Sequence, residues 1–328
     1  MTGRAWLDAV LAAGATAAGY APDSAAGRAD IEDVTGAEPL EDPQLQVHPV
    51  PPDAWRPASA AFLDGVQRWR VVAYDGIVPI VRAWVAAAVR RRGPDRRLRT
   101  VHEDGRELVV SFVERLSAPV RAALEGAGLD IHGVPGDRLG QPAQSLAAAR
   151  AVVDAVRVRV ERAVGERWVG EAPGDEWLVV DGVLSDHAAL AAHARALGVV
   201  KSHGAQYFTG GEQERALTLP AGHRTSVFRP AARGSAAVCS WYLRFWPWEG
   251  SDLLYGLVRV EGPARDETLR RAGALSAWLL AERAPLAAPD ARWDRLVYPI
   301  HDVEMYLRAR APRDIVAPAL HRLPARGA

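Results

Sequence analysis

Two short apolar segments, at residues 177–180 (WLVV) and 198–200 (GVV), limit the fold of this chain more than any other feature. A wholly apolar run of this length is typical of a strand that is buried on both faces of a sheet. Between the two runs the sequence predicts a helix over residues 186–197. Strands that alternate with helices in this way indicate an α/β protein.

The region upstream predicts three more strands, at residues 69–74, 77–89 and 107–113, with a turn-rich basic stretch at residues 90–99. Successive strands at this spacing favour an antiparallel meander. A long helix follows at residues 144–167, where apolar residues recur at steps of three and four. The order is three strands, helix, strand, helix, strand, so we expect a mixed-direction sheet flanked by helices.

The ends of the chain differ from this central region. Residues 1–60 are interpreted as a helical or irregular N-terminal extension that ends in a proline-rich linker at residues 48–52, and residues 61–328 as the main domain. The C-terminal elaboration is predicted to contain a β-hairpin of residues 239–245 and 253–260, a helix at residues 266–283 and a final helix after Pro299.

Composition excludes several classes of protein. Lys plus Arg and Asp plus Glu each number 40, so the formal net charge is zero and only local basic patches favour nucleic-acid binding. The single cysteine, Cys239, rules out an intrachain disulfide framework and a cysteine-rich zinc site. No apolar run approaches the length of a membrane span, and we expect a soluble, cytoplasmic protein.

Asp75 and Asp181 occupy equivalent positions, since each follows an apolar strand and precedes a glycine. The carboxyl ends of strands are where α/β sheets bind ligands. Two aspartates at neighbouring strand ends would form a hard oxygen site suited to Mg²⁺ or Mn²⁺. The alternative is that Asp-Gly is only a common turn dipeptide.

Three further candidates accompany the aspartates. Glu161 lies beside the apolar stripe of the long helix and is a candidate third carboxylate, or else an exposed partner of Arg157 one turn earlier. Lys201 is the only lysine among the 40 basic residues, and His203 and Tyr207 follow it closely. Such a set can contact a phosphate, polarise a water or protonate a leaving group. The alternative for Lys201 is a solvated lysine at a strand end.

Taken together, these segments resemble the NurA family of nucleases over roughly residues 60–310, and the ordered series is more specific than any single motif. The segments that carry the resemblance are Asp75-Gly76 after a strand, Glu161 on a helix, residues 178–182 (LVVDG), 199–203 (VVKSH), 224–228 (RTSVF), 241–244 (WYLR), 258–261 (VRVE) and 298–300 (YPI), with Glu304 on the last helix. One position departs from the family, because Ile77 stands where the first motif often has a serine.

The resemblance implies an RNase H-like core, a homodimer, and a Mn²⁺- or Mg²⁺-dependent exo- and endonuclease acting on DNA with a hexameric HerA-type ATPase. It implies that Asp75, Glu161 and Asp181 hold the metals and that Lys201 and His203 belong to the motif after the second Asp-Gly. A further functional residue near the C-terminus would be His301 or Glu304. In the two-metal mechanism so implied, one ion activates water and the other stabilises the leaving oxygen.

Contacts to DNA are expected from the basic stretch at residues 90–99 and from a second set of side chains. That set is Arg224, Arg229, Arg233, Arg244 and Tyr207. Because the net charge is zero, unaided DNA binding should be weak, which fits delivery of DNA by a partner motor. Four tryptophans outside the motifs are interpreted as an exposed protein interface, and two of them, Trp246 and Trp248, alternatively as base-stacking groups; the other two are Trp6 and Trp55.

Two other classes of function stay open at this point. A catalytically degenerate adaptor would keep the fold and dock on an ATPase without cleaving DNA. A small-molecule hydrolase on the same sheet lacks a supporting Gly-x-Ser-x-Gly nucleophile motif.

Overall fold

The computed structural model describes residues 5–17, 35–52, 55–136, 140–231, 236–248, 251, 253–283, 293–312 and 315. A single mixed sheet carries the described strands, and helices lie against both of its faces. The strands are β1 Thr16–Ala17, β2 Ala37–Pro39, β3 Val47–Pro49, β4 Ala60–Asp75, β5 Val78–Arg92, β6 Leu98–Ser111, β7 Ile131–Gly133, β8 Trp177–Asp181, β9 Ala196–Val200, β10 His223–Thr225, β11 Phe228–Pro230, β12 Val238–Arg244 and β13 Leu257–Pro263. The helices are α1 Ala5–Ala12, α2 Ala118–Gly126, α3 Pro142–Glu171, α4 Ala188–Ala192, α5 Gly210–Leu217, α6 Asp266–Glu282 and α7 Tyr298–Arg310, with 3-10 turns at Val113–Arg115 and Trp293–Arg295.

The predicted meander is present as the long antiparallel strands β4, β5 and β6. Its first strand begins at Ala60, nine residues before the predicted start at residue 69. The earlier start follows from pairing, because β4 has β5 on one side along its whole length and β8 on the other side over its first residues. The third strand also begins earlier than predicted, at Leu98, so Gly105 lies inside β6 and does not form a turn.

Parallel pairing begins where the chain leaves the meander. β8 pairs in parallel with β4, and β9 pairs in parallel with β8, giving the order β6-β5-β4-β8-β9. β13 and β12 continue the sheet beyond β9 in antiparallel fashion. The α/β class and the mixed sheet are therefore confirmed. The predicted helix at residues 186–197 is wrong in extent, since only Ala188–Ala192 is helical and Ala196 and Leu197 pair with β8.

The two faces of the sheet carry separate cores. The apolar residues of α1, α2 and α3 pack on one face, which we call the α3 face. The apolar residues of α6 and α7 pack on the other, which we call the α7 face. Alternation along the strands assigns side chains to these faces. In β4, for example, Ala61 and Leu63 belong to the α3 face, and Phe62 and Val66 to the α7 face.

The N-terminal region is part of the same sheet, contrary to the predicted extension and linker. β2 pairs with β11, and β3 pairs with β10, where His48 lies opposite Arg224. Helix α1 buries Trp6 against the α3-face core. Pro49 is tolerated in β3 because its strand contacts only one neighbour in the described sheet. Among the described helices, none is both long enough and apolar enough to cross a membrane.

Candidate metal centre

Asp64 and Asp181 lie side by side at the carboxyl end of the parallel part of the sheet. The parallel register of β4 and β8 runs from Ala60 opposite Trp177 to Leu63 opposite Val180, and the two aspartates are the next residues on their strands. Adjacent strands are about 4.8 Å apart. Both aspartates follow a residue of the α3 face, so both side chains belong to the α7 face.

The Asp64 carboxyl group lies among several other charged groups. It is 5% exposed, and its pKa is raised well above its ordinary value, first by burial and then by the negative charge of Asp181. Glu161 and Glu304 raise the pKa further, whereas the positive charge of Lys201 lowers it. Asp64 therefore interacts with three other carboxyl groups and one ammonium group.

Glu161 reaches this group from helix α3, on the opposite face of the sheet. Its side chain passes close to β4 at Gly65, where a Cβ atom would lie 2.8 Å from Oε2 of Glu161. A glycine inside a strand often marks such a close approach. The alternative interpretation made Glu161 an exposed partner of Arg157. Arg157 does donate to Oε2 of Glu161 at 2.5 Å, but Glu161 is buried. Burial, followed by Asp181, raises the pKa of Glu161 to about 7 against the opposing charge of Arg157.

Lys201 forms an ion pair with Asp181, with 2.8 Å between Nζ and Oδ1. Lys201 directly follows β9, whose Val199 lies opposite Asp181 in the parallel register. The ammonium therefore reaches back across the strand ends. Both side chains keep some exposure, 14% for Lys201 and 26% for Asp181, so solvent reaches the pair.

Helix α7 supplies the C-terminal member of the group. Glu304 acts on Asp64 electrostatically, and it also pairs with Arg308 one turn later on the helix. His301 Nδ1 lies 3.6 Å from Glu304 Oε2. Of the two alternatives at the C-terminus, Glu304 is the one whose charge acts on Asp64, and His301 lies next to it.

Asp75 is not part of this group, and its assignment as a metal ligand was wrong. It lies 11 residues beyond Asp64 on the same strand, which corresponds to about 35 Å. Its Oδ2 accepts a hydrogen bond of 2.6 Å from the backbone N–H of Ser117, just before α2. Asp75-Gly76 forms the turn between β4 and β5, as the turn alternative predicted.

The sequence carries a signal for Asp64 that the strand prediction at residues 69–74 did not include. Residues 60–65 read AAFLDG, and residues 177–182 read WLVVDG, so both have four apolar residues followed by Asp-Gly. The interpretation of residues 69–74 as the first strand directed attention to the later Asp-Gly. A strand of 16 residues, with its functional aspartate in the fifth position, breaks the usual expectation that such a residue ends its strand.

His203 and Tyr207 do not join the carboxylates. The His203 imidazole lies 3.0 Å from the carbonyl oxygen of Leu257 through Nε2 and stacks on Tyr242. Burial lowers the pKa of His203 to about 4, so the ring is neutral at pH 7. Tyr207 is buried and packs against Phe228, so its ring is not exposed at the protein surface.

Two of the arginines expected to bind DNA are used inside the protein, and a third forms an ion pair at the surface. Arg224 is buried and donates to both carboxylate oxygens of Glu41, at 2.7 and 2.6 Å. Arg244 is fully buried and donates to backbone carbonyls, including that of Leu219 at 3.0 Å. Arg229 pairs with Glu38 at 2.5 Å. Arg233 lies outside the described residues.

The basic stretch and the tryptophans also differ from expectation. Arg90 pairs with Asp302 of α7, and Arg91 with the buried Glu176. Trp246 is half-buried under Arg283, whose Cζ lies 4.0 Å from the ring centroid. The tryptophan interface is therefore wrong for the buried Trp6 and half-buried Trp246 and Trp248, whereas Trp55 is 36% exposed.

Glu41, Asp42 and His48 form a tighter cluster in the described part of the chain, with one ligand atom of each within 4.8 Å of the others, a proximity that the carboxyl groups around Asp64 do not reach. By proximity alone this cluster could hold a metal ion. Arg224 holds both oxygens of Glu41, however, and Ser226 donates to Asp42 at 2.6 Å, whereas Lys201 and Arg157 contact one oxygen of Asp181 and one of Glu161, respectively. The bonds of Glu41 and Asp42 fasten the segment between β2 and β3 to β10, which is a structural role.

Chemically, the cluster around Asp64 is the better cation site. Buried carboxylates that raise one another's pKa lose that repulsion when a hard divalent cation binds between them. Asp64, Asp181, Glu161 and Glu304 supply the oxygen ligands that Mg²⁺ and Mn²⁺ prefer. Comparison of the chain with protein-family models and with curated protein sequences found no match.

Proposed function

We propose that the protein is a metal-dependent deoxyribonuclease. The observation that carries the proposal is the convergence of Asp64, Asp181, Glu161 and Glu304, with Lys201, at one edge of the sheet. A bound Mn²⁺ or Mg²⁺ would supply an activated water and charge neutralisation at a phosphodiester. The order β6-β5-β4-β8-β9, with the acidic residues on the first long strand, α3, β8 and the last helix, supports an RNase H-like core.

The protein's own residues have distinct parts in this proposal. Asp64 and Asp181 are the central ligands, Glu161 approaches through the space left by Gly65, and Glu304 is the fourth carboxylate. Lys201 holds Asp181 in place in the metal-free protein. Once a cation takes up Asp181, the ammonium is free to donate to a phosphate oxygen, where charge-assisted bonds are strong.

Arg68 and Arg70 are the basic residues best placed for the DNA backbone. They lie four and six residues after Asp64 on β4. Because both spacings are even, their side chains belong to the same α7 face as Asp64, and both are half-buried. They lie about 13 and 20 Å from Asp64 along the strand. Arginine contacts of this kind position a duplex or strand without reading its sequence.

Two partners are part of the proposal. A HerA-type hexameric ATPase would deliver DNA, which is supported by the zero net charge and by the internal use of Arg224 and Arg244. A homodimer, or the ATPase itself, would cover Tyr298 and Met305. These side chains are 56% and 50% exposed and lie seven residues apart on α7, hence on one side of the helix.

A metal-binding and cleavage experiment tests the nuclease proposal. After EDTA treatment, Mn²⁺ should raise the thermal midpoint of the full chain, because a ligand that binds only the folded state stabilises it. The same Mn²⁺ should support cleavage of linear DNA. Asp181→Asn should lose both effects, whereas the matched control Asp175→Asn, an exposed aspartate just before β8, should keep both.

One observation favours the catalytically degenerate adaptor as a second candidate. The pairs Lys201–Asp181 and Arg157–Glu161 give two of the carboxylates a cationic partner within the chain. In an adaptor these pairs would be permanent. No thermal response to Mn²⁺ and no cleavage by the wild-type protein would therefore support the adaptor and refute the nuclease.

A further inference from the structure

A cavity of about 730 Å³ lies against the loops that follow Asp181 and Lys201. Its walls include Val183 and Asp186, which follow Asp181, and Ser202 and His203, which follow Lys201. Arg259 and Glu261 also line it, and they alternate on β13 with Val258 and Val260 of the α7-face core. The cavity is therefore on the α3 face, and the same two strand ends that supply Asp181 and Lys201 lead into it.

The inner wall of the cavity is rigid and polar. Arg259 is 5% exposed and forms an ion pair with Glu261, which is 1% exposed. Oε2 of Glu261 accepts hydrogen bonds from the backbone N–H groups of Leu184 and Ser185, at 2.7 and 3.0 Å. These bonds fix the loop after β8 to β13. The wall is therefore prepared before any ligand enters.

An aromatic ring and an acid complete the lining. The Tyr207 ring lies 5.1 Å from Cζ of Arg259, so a guanidinium and a phenol ring border the same space. Asp186 lines the cavity on the side of the β8 loop, and its pKa is raised by burial and by Glu261. An arginine, a carboxylate and an aromatic ring together match a flat group that carries both hydrogen-bond acceptors and donors.

The balance of charge argues against a phosphate in this cavity. The charged side chains of the lining are the acids Glu38, Asp186 and Glu261 and the arginines Arg229 and Arg259. Both arginines are already paired, Arg229 with Glu38 and Arg259 with Glu261. Among the residues that the structure describes, the lining has no excess of positive charge to attract an anion. Its volume lies within the roughly 300–1,000 Å³ of pockets that bind small organic groups.

We propose that this cavity receives one unpaired nucleobase of the DNA strand, next to the phosphodiester held at the carboxylate cluster. This rests on the proposed nuclease function. Placing a base there requires it to leave the stack, which costs least in single-stranded or frayed DNA. The protein therefore prefers single strands and frayed ends to intact duplex as its substrate.

Binding of mononucleotides tests the cavity without any cleavage. The full chain is titrated in EDTA with deoxyguanosine monophosphate and, separately, with deoxyribose 5-phosphate, and binding is followed by ligand-observed NMR. The nucleotide should bind and the base-free sugar phosphate should not. Ala205→Trp, which fills the cavity, should weaken nucleotide binding at least about fivefold, the low end of what base–aromatic stacking contributes.

Two further variants show whether weaker nucleotide binding by Ala205→Trp comes from filling the cavity or from unfolding of the protein. Ala147→Trp, at an exposed position of α3, is the matched control and should bind like wild type. Asp186→Asn adds no bulk and should still lower the affinity for the guanine nucleotide severalfold, because a strong acceptor is lost. Equal binding of the base-free sugar phosphate, or nucleotide binding that neither Ala205→Trp nor Asp186→Asn changes, would overturn the proposal, as would no binding at millimolar nucleotide.

Cleavage separates this inference from the proposed function. A single abasic nucleotide is moved along a labelled single strand, and the Mn²⁺-dependent rate is measured at each phosphodiester. One abasic position beside the cut should slow the wild type about tenfold and leave Ala205→Trp unaffected. Uniform rates at all positions would contradict the base pocket in an active nuclease. A protein that binds nucleotides but never cleaves would support the cavity and refute the nuclease.

Discussion

The two ends of strand β4 carry the same dipeptide in different surroundings. Asp64-Gly65 lies where β4 has neighbours on both sides, next to Asp181 and beneath Glu161. Asp75-Gly76 lies at the turn of the β4–β5 hairpin, where Gly76 has a φ of +59° and no atom of the described residues lies within 4 Å of the place that a Cβ would take. At Gly65 the missing side chain makes room for a neighbour, and at Gly76 it permits a turn.

The position of each aspartate in the sheet, and not the Asp-Gly dipeptide itself, determines whether it can bind a metal ion or stabilises a turn. Asp64 is surrounded by other carboxyl groups because parallel pairing brings Asp181 alongside it. Asp75 has no such neighbour in its ladder, and its carboxylate instead accepts the N–H of Ser117. The same residue type is therefore a ligand candidate at one end of the strand and a turn-stabilising group at the other.

The largest expected effect is on DNA cleavage by the two aspartate variants. Asp64→Asn should reduce Mn²⁺-dependent cleavage by about three orders of magnitude, or about 4 kcal/mol of barrier, because a central ligand charge is lost. Asp75→Asn should cleave within a fewfold of wild type. Initial rates on a labelled linear DNA at saturating Mn²⁺ measure both.

Thermal unfolding in EDTA is the control for this pair. Asp64→Asn should be as stable as wild type or more so, because a neutral amide replaces a buried carboxyl group among three others. Loss of activity in Asp75→Asn with full activity in Asp64→Asn would reverse the comparison and restore the earlier assignment.

The strands and helices of the central region were predictable from the sequence, but the residues at which they begin and end were not. Apolar runs and periodicity were sufficient for β8, α3 and the helices of the last third, because burial on one or both faces imposes those patterns. They failed for β4, whose middle carries Gln67, Arg68 and Arg70 between apolar ends. A strand of this kind is held by its neighbours over its length, and that pairing is not a local property.

The site was only partly predictable, again because strand pairing is not a local property of the sequence. Asp181, Glu161 and Lys201 were candidates from local context, and the family resemblance implied their roles; the structure brings these three together. Asp64 required knowing the register of β4 against β8. Arg224 and Arg244 were misjudged because a sequence does not state which arginines meet Glu41 or backbone carbonyls that lie far along the chain.

A smaller effect is expected on stability as a function of pH. The folded pKa of Glu161 is about 7 against an ordinary 4.5, so its ionisation disfavours the folded state. In EDTA, the free energy of unfolding should fall as pH rises from 4.5 to about 7, by about 3 kcal/mol from this residue. Glu161→Gln should lack this loss. Denaturant unfolding across that pH range measures the difference between the two proteins.

The unfolding free energies of wild type and Glu161→Gln must be compared at each pH, because buried histidines make the stability depend on pH in the opposite direction. The pKa values of His187 and His203 are lowered to about 4, so their contribution to stability is lost as pH falls from 6.5 towards 4. These terms cancel between wild type and Glu161→Gln. With Mn²⁺ present the sign of the difference should reverse, because the metal binds the ionised carboxylate. A wild type that parallels the variant at every pH would show that Glu161 is an ordinary paired acid.

The smallest effects are expected for the two glycines. Gly76→Ala places a side chain at a φ of +59° and should cost about 1 kcal/mol of stability, with no change in Mn²⁺ affinity. Gly65→Ala places a Cβ against Oε2 of Glu161, the end of a side chain that can shift, so its stability cost should be similarly small. That shift moves a ligand, and Mn²⁺ affinity should fall about tenfold, or about 1.4 kcal/mol. Unfolding in EDTA and titration with Mn²⁺ separate the two properties. If Gly65→Ala bound Mn²⁺ as tightly as wild type, Glu161 would not be a ligand, and the glycine in β4 would serve packing alone.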